Sequence, residues 1–174
     1  VQTCALPILM VGSGSADLWI ESSEKDTDLQ VTLTEVRPDG KETYVQSGWL
    51  RASKRKLDEK RSTELEPLLT QKQADAEDLP ADEFVPVRVE IYPFAHAFRA
   101  GSKIRVIISA PGGDKPVWSF VNLDGTQDNE VARSADMPSS VVLPVVPGVD
   151  VSTPLPACPA LRGQPCREYQ PEGS

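Results

Sequence analysis

The side chains most capable of covalent or acid–base work in these 174 residues are one histidine, His96, and three cysteines, Cys4, Cys158 and Cys166. Hydrolysis through a nucleophile needs a serine or cysteine beside a base, with a third group orienting that base. Any such relay must use His96, which sits in Tyr92-Pro93-Phe94-Ala95-His96-Ala97-Phe98-Arg99 with no serine, cysteine or carboxylate at a useful local spacing. The run Gly12-Ser13-Gly14-Ser15 lacks the Gly-x-Ser-x-Gly spacing of a nucleophile elbow, and no other segment supplies it. No catalytic residue is therefore assigned, and His96 is expected to be a hydrogen-bonded structural histidine.

Metal chemistry fares no better. Asp26-x-Asp28 offers two oxygen ligands where calcium takes six to eight, and the rest of a calcium loop is missing. Scattered cysteines and one histidine lack paired zinc-ligand spacing. We assign no metal and no cofactor, and expect Asp26 and Asp28 to serve strand-edge hydrogen bonds. Cys158 and Cys166 are separated by seven residues, suited to closing a small loop. They form a disulfide candidate, worth roughly 2–3 kcal/mol if unstrained, with two reduced thiols as the alternative. A disulfide points to an extracytoplasmic setting.

The elements that must carry these residues read as β-strands. Alternation marks strands at 17–22, 28–36, 43–52, 85–92, 103–110 and 140–146; in one, Val85, Val87, Val89 and Ile91 share a face. Pro38-Asp39-Gly40 supplies the turn between the second and third. Sixteen prolines and eleven glycines suit an all-β, two-sheet sandwich. Residues 54–83 are polar and poor in β-branched residues, basic first (Lys54, Arg55, Lys56, Lys60, Arg61) and acidic later. A net charge of −8 argues against nucleic acid or anionic membrane as partner.

Three ordered blocks carry a resemblance: Asp26-Thr27-Asp28 through the Pro38-Asp39-Gly40 hairpin to Gly48-Trp49-Leu50-Arg51-Ala52-Ser53; Glu90 to Gly113; and Ser139 to Pro147. They resemble the C-terminal β-domain of the cocaine esterase / X-Pro dipeptidyl-peptidase (CocE/NonD) family of serine hydrolases. The resemblance covers residues 12–148 and implies a jelly roll of galactose-binding-like type that carries no chemistry itself, with residues 54–83 as a long polar crossing loop that has room for one short helix. It implies an α/β-hydrolase catalytic domain as partner, a role in packing against that domain and bordering its substrate cleft, and support for a homodimer. The parent protein is then an esterase or dipeptidyl-peptidase whose relatives act on cocaine-like esters, β-lactam amino esters or Xaa-Pro peptides.

On that reading Trp49, Arg51, Arg55, Phe98 and Arg99 are interface candidates, since aromatic and arginine residues concentrate at interface centres. Near the position where family members normally carry histidine or tyrosine, this chain has Lys54. The competing reading is a carbohydrate-binding module using Trp19, Trp49 or Trp118 as sugar platforms. Three segments are expected: residues 1–8, VQTCALPI, an artefact because one back-translation matches a short-read sequencing adapter; residues 9–148, the β-domain; and residues 149–174, a proline- and cysteine-containing tail.

Overall fold

A computed structural model describes residues 2–3, 7–112, 120–159 and 166–171. Ten strands are described: β1 (Gln2–Thr3), β2 (Ile8–Ser22), β3 (Asp28–Val36), β4 (Lys41–Arg51), β5 (Val85–Phe98), β6 (Lys103–Ser109), β7 (Asn129–Val131), β8 (Ser140–Val142), β9 (Val145–Val146) and β10 (Cys166–Glu168). They build two antiparallel sheets. The first runs β1-β6-β3-β4-β10; in the second β2 pairs with β5 on one side and with β7, β8 and β9 along the other. This is the all-β sandwich that the alternating pattern predicts.

The period-two residues explain how the sheets meet. Leu29, Val31 and Leu33 of β3 turn inward, as do Leu18 and Ile20 of β2 and Val87, Val89 and Ile91 of β5, and all are buried. One core cluster joins all of these but Leu33 to Ala16, Leu50, Ala52 and Leu79; a second gathers Leu33 with Met10, Val45 and Phe98. Each such Val, Leu or Ile contributes about 1.5–3 kcal/mol of burial before chain entropy is subtracted. The sheets approach closely at Gly48. A Cβ placed there would lie 1.6 Å from the Glu90 carbonyl oxygen, so β4 and β5 touch backbone to backbone and only glycine fits.

The β3–β4 hairpin turns as its residues dictate. The Gly40 amide donates to the Arg37 carbonyl (3.1 Å), the Arg37 amide donates to the Lys41 carbonyl (2.7 Å), and Gly40 takes φ +81°. Asp39 caps the turn by accepting from Arg37 Nη2 at 2.8 Å.

Several bounds differ from the sequence expectation. β2 begins at Ile8 rather than 17, because Ile8 to Gly12 pair with Phe98 to Phe94 of β5, with a register shift between Gly12 and Gly14. β5 accordingly runs on to Phe98, past the expected end at residue 92. Its prolines are tolerated because β5 is an outer strand, where a missing amide donor breaks no second ladder. The crossing loop holds two short 3-10 turns, Ala52–Lys54 and Gln73–Asp75. Its basic start and acidic end pair with each other: Lys56 Nζ lies 2.8 Å from Asp75, and Arg55 lies 3.2 Å from Glu77. No helix among the described residues is long and apolar enough to cross a membrane.

Candidate functional site: an outer-face groove and a buried His–Glu–Ser chain

Because Leu29, Val31 and Leu50 point inward, the alternate positions of the same strands present a polar ladder on the outer face of the first sheet. Directly opposed pairs are Asp28 with Arg51, Gln30 with Trp49, and Thr32 with Ser47. Each pair is hydrogen-bonded. Arg51 grips Asp28 through Nε and Nη2, both 2.8 Å from the two carboxylate oxygens. Trp49 Nε1 donates to Gln30 Oε1 at 2.9 Å, and the Thr32 and Ser47 hydroxyls lie 3.0 Å apart. The hydrogen bond to Asp28 holds the Arg51 guanidinium above its ordinary pKa, so its charge is permanent.

This ladder fastens the segment after β6. Gln30 Oε1 also accepts from the Gly112 amide (3.1 Å), Asp28 Oδ2 accepts from the Leu123 amide (3.2 Å), and Arg51 Nη2 donates to the Val121 carbonyl (3.0 Å). Phe120 is thereby laid against Trp49, with ring centroids 5.7 Å apart, and Tyr92 also meets Trp49, at 5.5 Å. Beside them opens a groove of about 390 Å³, with Leu29, Leu69 and Pro111 among its apolar walls and Arg51, Lys54 and Asn122 among its polar ones. A half-buried aromatic cluster beside a fixed guanidinium is suited to gripping another protein surface.

The sequence-derived interface candidates divide. Trp49 and Arg51 stand together on this groove. Arg55 instead turns inward along the crossing loop, donating to the carbonyls of Ala52, Glu77 and Asp78, with its side chain only 13% exposed. Phe98 is corrected outright as a surface candidate: it is fully buried in the second core cluster, because its place at the end of β5 opposite Ile8 points it between the sheets. Arg99 is spent on residues 153–154, donating to Thr153 Oγ1 at 2.9 Å and to the Pro154 carbonyl at 3.3 Å. Phe120 and Tyr92 were missed; only the fold brings them to Trp49. Trp19 projects from the outer phase of β2 between buried Leu18 and Ile20. Trp118 and Cys4 lie outside the described residues.

His96 does meet a carboxylate and, through it, a hydroxyl. Its Nε2 lies 2.9 Å from Glu35 Oε2, while Ser102 Oγ donates to Glu35 Oε1 at 2.6 Å. The order is the wrong one for acyl transfer. A base must stand between nucleophile and carboxylate, whereas here the carboxylate stands between imidazole and hydroxyl. Ser102 and Glu35 are also buried. Burial pushes the Glu35 carboxyl up, but the hydrogen bonds from His96 and Ser102 and the charge of Arg99 outweigh it and hold the pKa below its ordinary value. The cluster is a structural staple joining β3, β5 and the turn before β6.

Asp26 and Asp28 are likewise occupied locally: Asp26 Oδ1 accepts from the amides of Thr27 (3.0 Å) and Ser53 (2.7 Å). Among the described residues no group of three or more histidine, cysteine, aspartate or glutamate side chains converges on a metal position.

Comparison with known proteins agrees with this geometry. Residues 5–140 match the family described as the X-Pro dipeptidyl-peptidase C-terminal non-catalytic domain. A Mycobacterium bovis protein provisionally named a serine esterase is 29% identical over 143 residues, covering 80% of this chain, and a Mycobacterium tuberculosis protein matches equally. The chain spans only 22% of the length of these relatives. Among solved structures, a CocE/NonD family hydrolase from Staphylococcus aureus superposes with TM-score 0.71 at 23% identity, over 83% of this chain and 29% of that one. An aminopeptidase from the marine-sediment archaeon Thaumarchaeota archaeon gives 0.60 at 18% identity, over 84% of this chain and 25% of that one. At those identities the two structures establish the shared sandwich and nothing finer. The chain belongs to the family of X-Pro dipeptidyl-peptidase C-terminal non-catalytic domains.

Proposed function

We propose that the domain serves as a buttress for an α/β-hydrolase catalytic domain, packing against it through the Trp49–Arg51 groove and bordering its substrate cleft. The reaction supported in this way is hydrolysis at an ester or amide carbonyl. Relatives named as a serine esterase and an aminopeptidase share that chemistry, although their bonds differ. The carrying observation is the groove itself: a clustered Trp49, Tyr92 and Phe120 beside an Arg51 whose orientation is fixed at two points. Holding one wall of a cleft rigid contributes to catalysis by positioning, since less freedom remains to be lost when substrate meets its nucleophile.

The test is a paired assay on the intact hydrolase that such a domain would complete. Truncating a central aromatic anchor costs about 2 kcal/mol or more of association energy, a loss of about 30-fold. Trp49→Ala should therefore weaken domain association by about that factor and lower turnover with it. Unchanged association and turnover in a folded Trp49→Ala variant would remove this face from the interface.

A further inference from the structure

The family match ends at residue 140, and beyond it, after β8 and β9 have paired with β2, the last described strand folds back on the first sheet. β10 pairs antiparallel with β4, setting Cys166 opposite Thr43, Arg167 opposite Glu42 and Glu168 opposite Lys41. The Tyr169 amide donates to the Gly40 carbonyl at 2.9 Å. Three arginines hold the return: Arg99 on Thr153 and Pro154, Arg37 Nη2 on the Pro156 carbonyl at 2.8 Å, and Arg167 Nε on Glu42 Oε2 at 3.0 Å. Between these anchors the sulfurs of Cys158 and Cys166 are bonded, with Cα atoms 5.7 Å apart. Both cysteines are partly exposed, so a small dithiol can reach them.

We propose that residues 149–159 and 166–171 form a redox-controlled clasp on the edge of β4. With the Cys158–Cys166 bond closed, β10 covers the outward backbone groups of β4 that an open edge would present. A dithiol reductant opens the clasp. Its thiolate attacks one sulfur, the bond between the two cysteines breaks as a mixed disulfide forms, and the reductant's second thiol then displaces the remaining cysteine. The chain gains two electrons and two protons as two thiols, and the reductant leaves as its own disulfide.

A three-residue strand is too short to hold itself in place by ladder bonds alone. The bond between residues eight apart removes loop-closure freedom from the released state, worth roughly 50–100-fold in the opening equilibrium. Glu42 keeps Thr34 and Arg105 as partners when Arg167 departs, so the sheet behind the clasp stays closed.

Amide hydrogen exchange on the oxidised chain, the dithiothreitol-reduced chain and a Cys158→Ser variant tests this. Reduction and substitution should each speed exchange at Tyr169 and the β10 amides by about 50–100-fold, while Val31 in β3 and Ala16 in β2, on strands paired on both sides, keep their rates. Unchanged exchange at Tyr169 after reduction would overturn the proposal. An equal rise at Val31 and Ala16 would overturn it too, because the bond would then be holding the whole domain and not a clasp.

Discussion

Replacing Gly48 with alanine adds one methyl group at the point where the two sheets meet. The new Cβ would sit 1.6 Å from the Glu90 carbonyl oxygen and 2.7 Å from its carbon, and both atoms are backbone, so no rotamer change relieves the clash. The strands must separate by about 1.4 Å to restore even a tight 3.0 Å contact. That displacement loosens Leu50, Val89 and Ile91, which fill the core between β4 and β5. Overpacking of a well-filled core costs about 1–3 kcal/mol, occasionally more, and the rigidity of both partners places Gly48→Ala at or above the top of that range. For a chain of this length such a loss lowers the melting temperature by roughly 6–12 °C. Thermal unfolding followed by near-ultraviolet circular dichroism measures it. Gly40→Ala is the control: its Cβ would meet nothing within 4 Å, leaving only the left-handed backbone penalty at φ +81°, about 1–2 kcal/mol. A Gly48→Ala protein less than 1 kcal/mol from wild type, or one no worse than Gly40→Ala, would refute the close approach of the sheets.

Phe98→Ala should cost about 3–5 kcal/mol in urea unfolding, since the ring is fully buried and packs edge-on against His96 at 4.7 Å; a change under 1 kcal/mol would return Phe98 to the surface. Glu35 and Glu42 both titrate below their ordinary value of 4.5 when folded, because hydrogen bonds from His96 and Ser102, and from Arg167 and Thr34, outweigh the upward push of burial. Their stabilising share is therefore full above that value and lost as pH falls through the lowered folded pKa values; the urea midpoint should drop on acidification below pH 4.5, and Glu35→Gln should flatten the drop. Glu90 behaves oppositely: burial and the nearby Glu66 charge raise its pKa, so its contribution weakens as pH rises through that raised value. Glu90→Gln should raise stability at pH 7, by less than about 0.5 kcal/mol, with the gain vanishing in acid.

The parts of this fold legible in the sequence are those governed by local period and turn chemistry. Alternation at Leu29, Val31 and Leu33 and the Pro38-Asp39-Gly40 turn place β3 and β4 side by side without reference to anything distant, though not the register shift between Leu33 and Thr34. The same phase argument puts Trp49 and Arg51 on one face, which is where the structure has them. Illegible parts depend on contacts between remote segments. Pro93 and the aromatics around it signal a turn, yet pairing with Ile8 to Gly12 draws them into β5 and drives Phe98 into the core. Arg55 and Arg99 resemble surface cations by type but are consumed by backbone carbonyls 22 and 54 residues away. β10 is three residues of weak strand character whose place is set by β4, Glu42 and a disulfide, none of which leaves a periodic trace.

The most direct measurement of the central claim is hydroxyl-radical footprinting of Trp49, Tyr92 and Phe120 in this chain alone and within an intact hydrolase. The account predicts that all three lose labelling when the catalytic domain is present while Trp19, on the outer face of β2, labels as before. Equal labelling of Trp49 in both forms, or protection of Trp19 in its place, would contradict it.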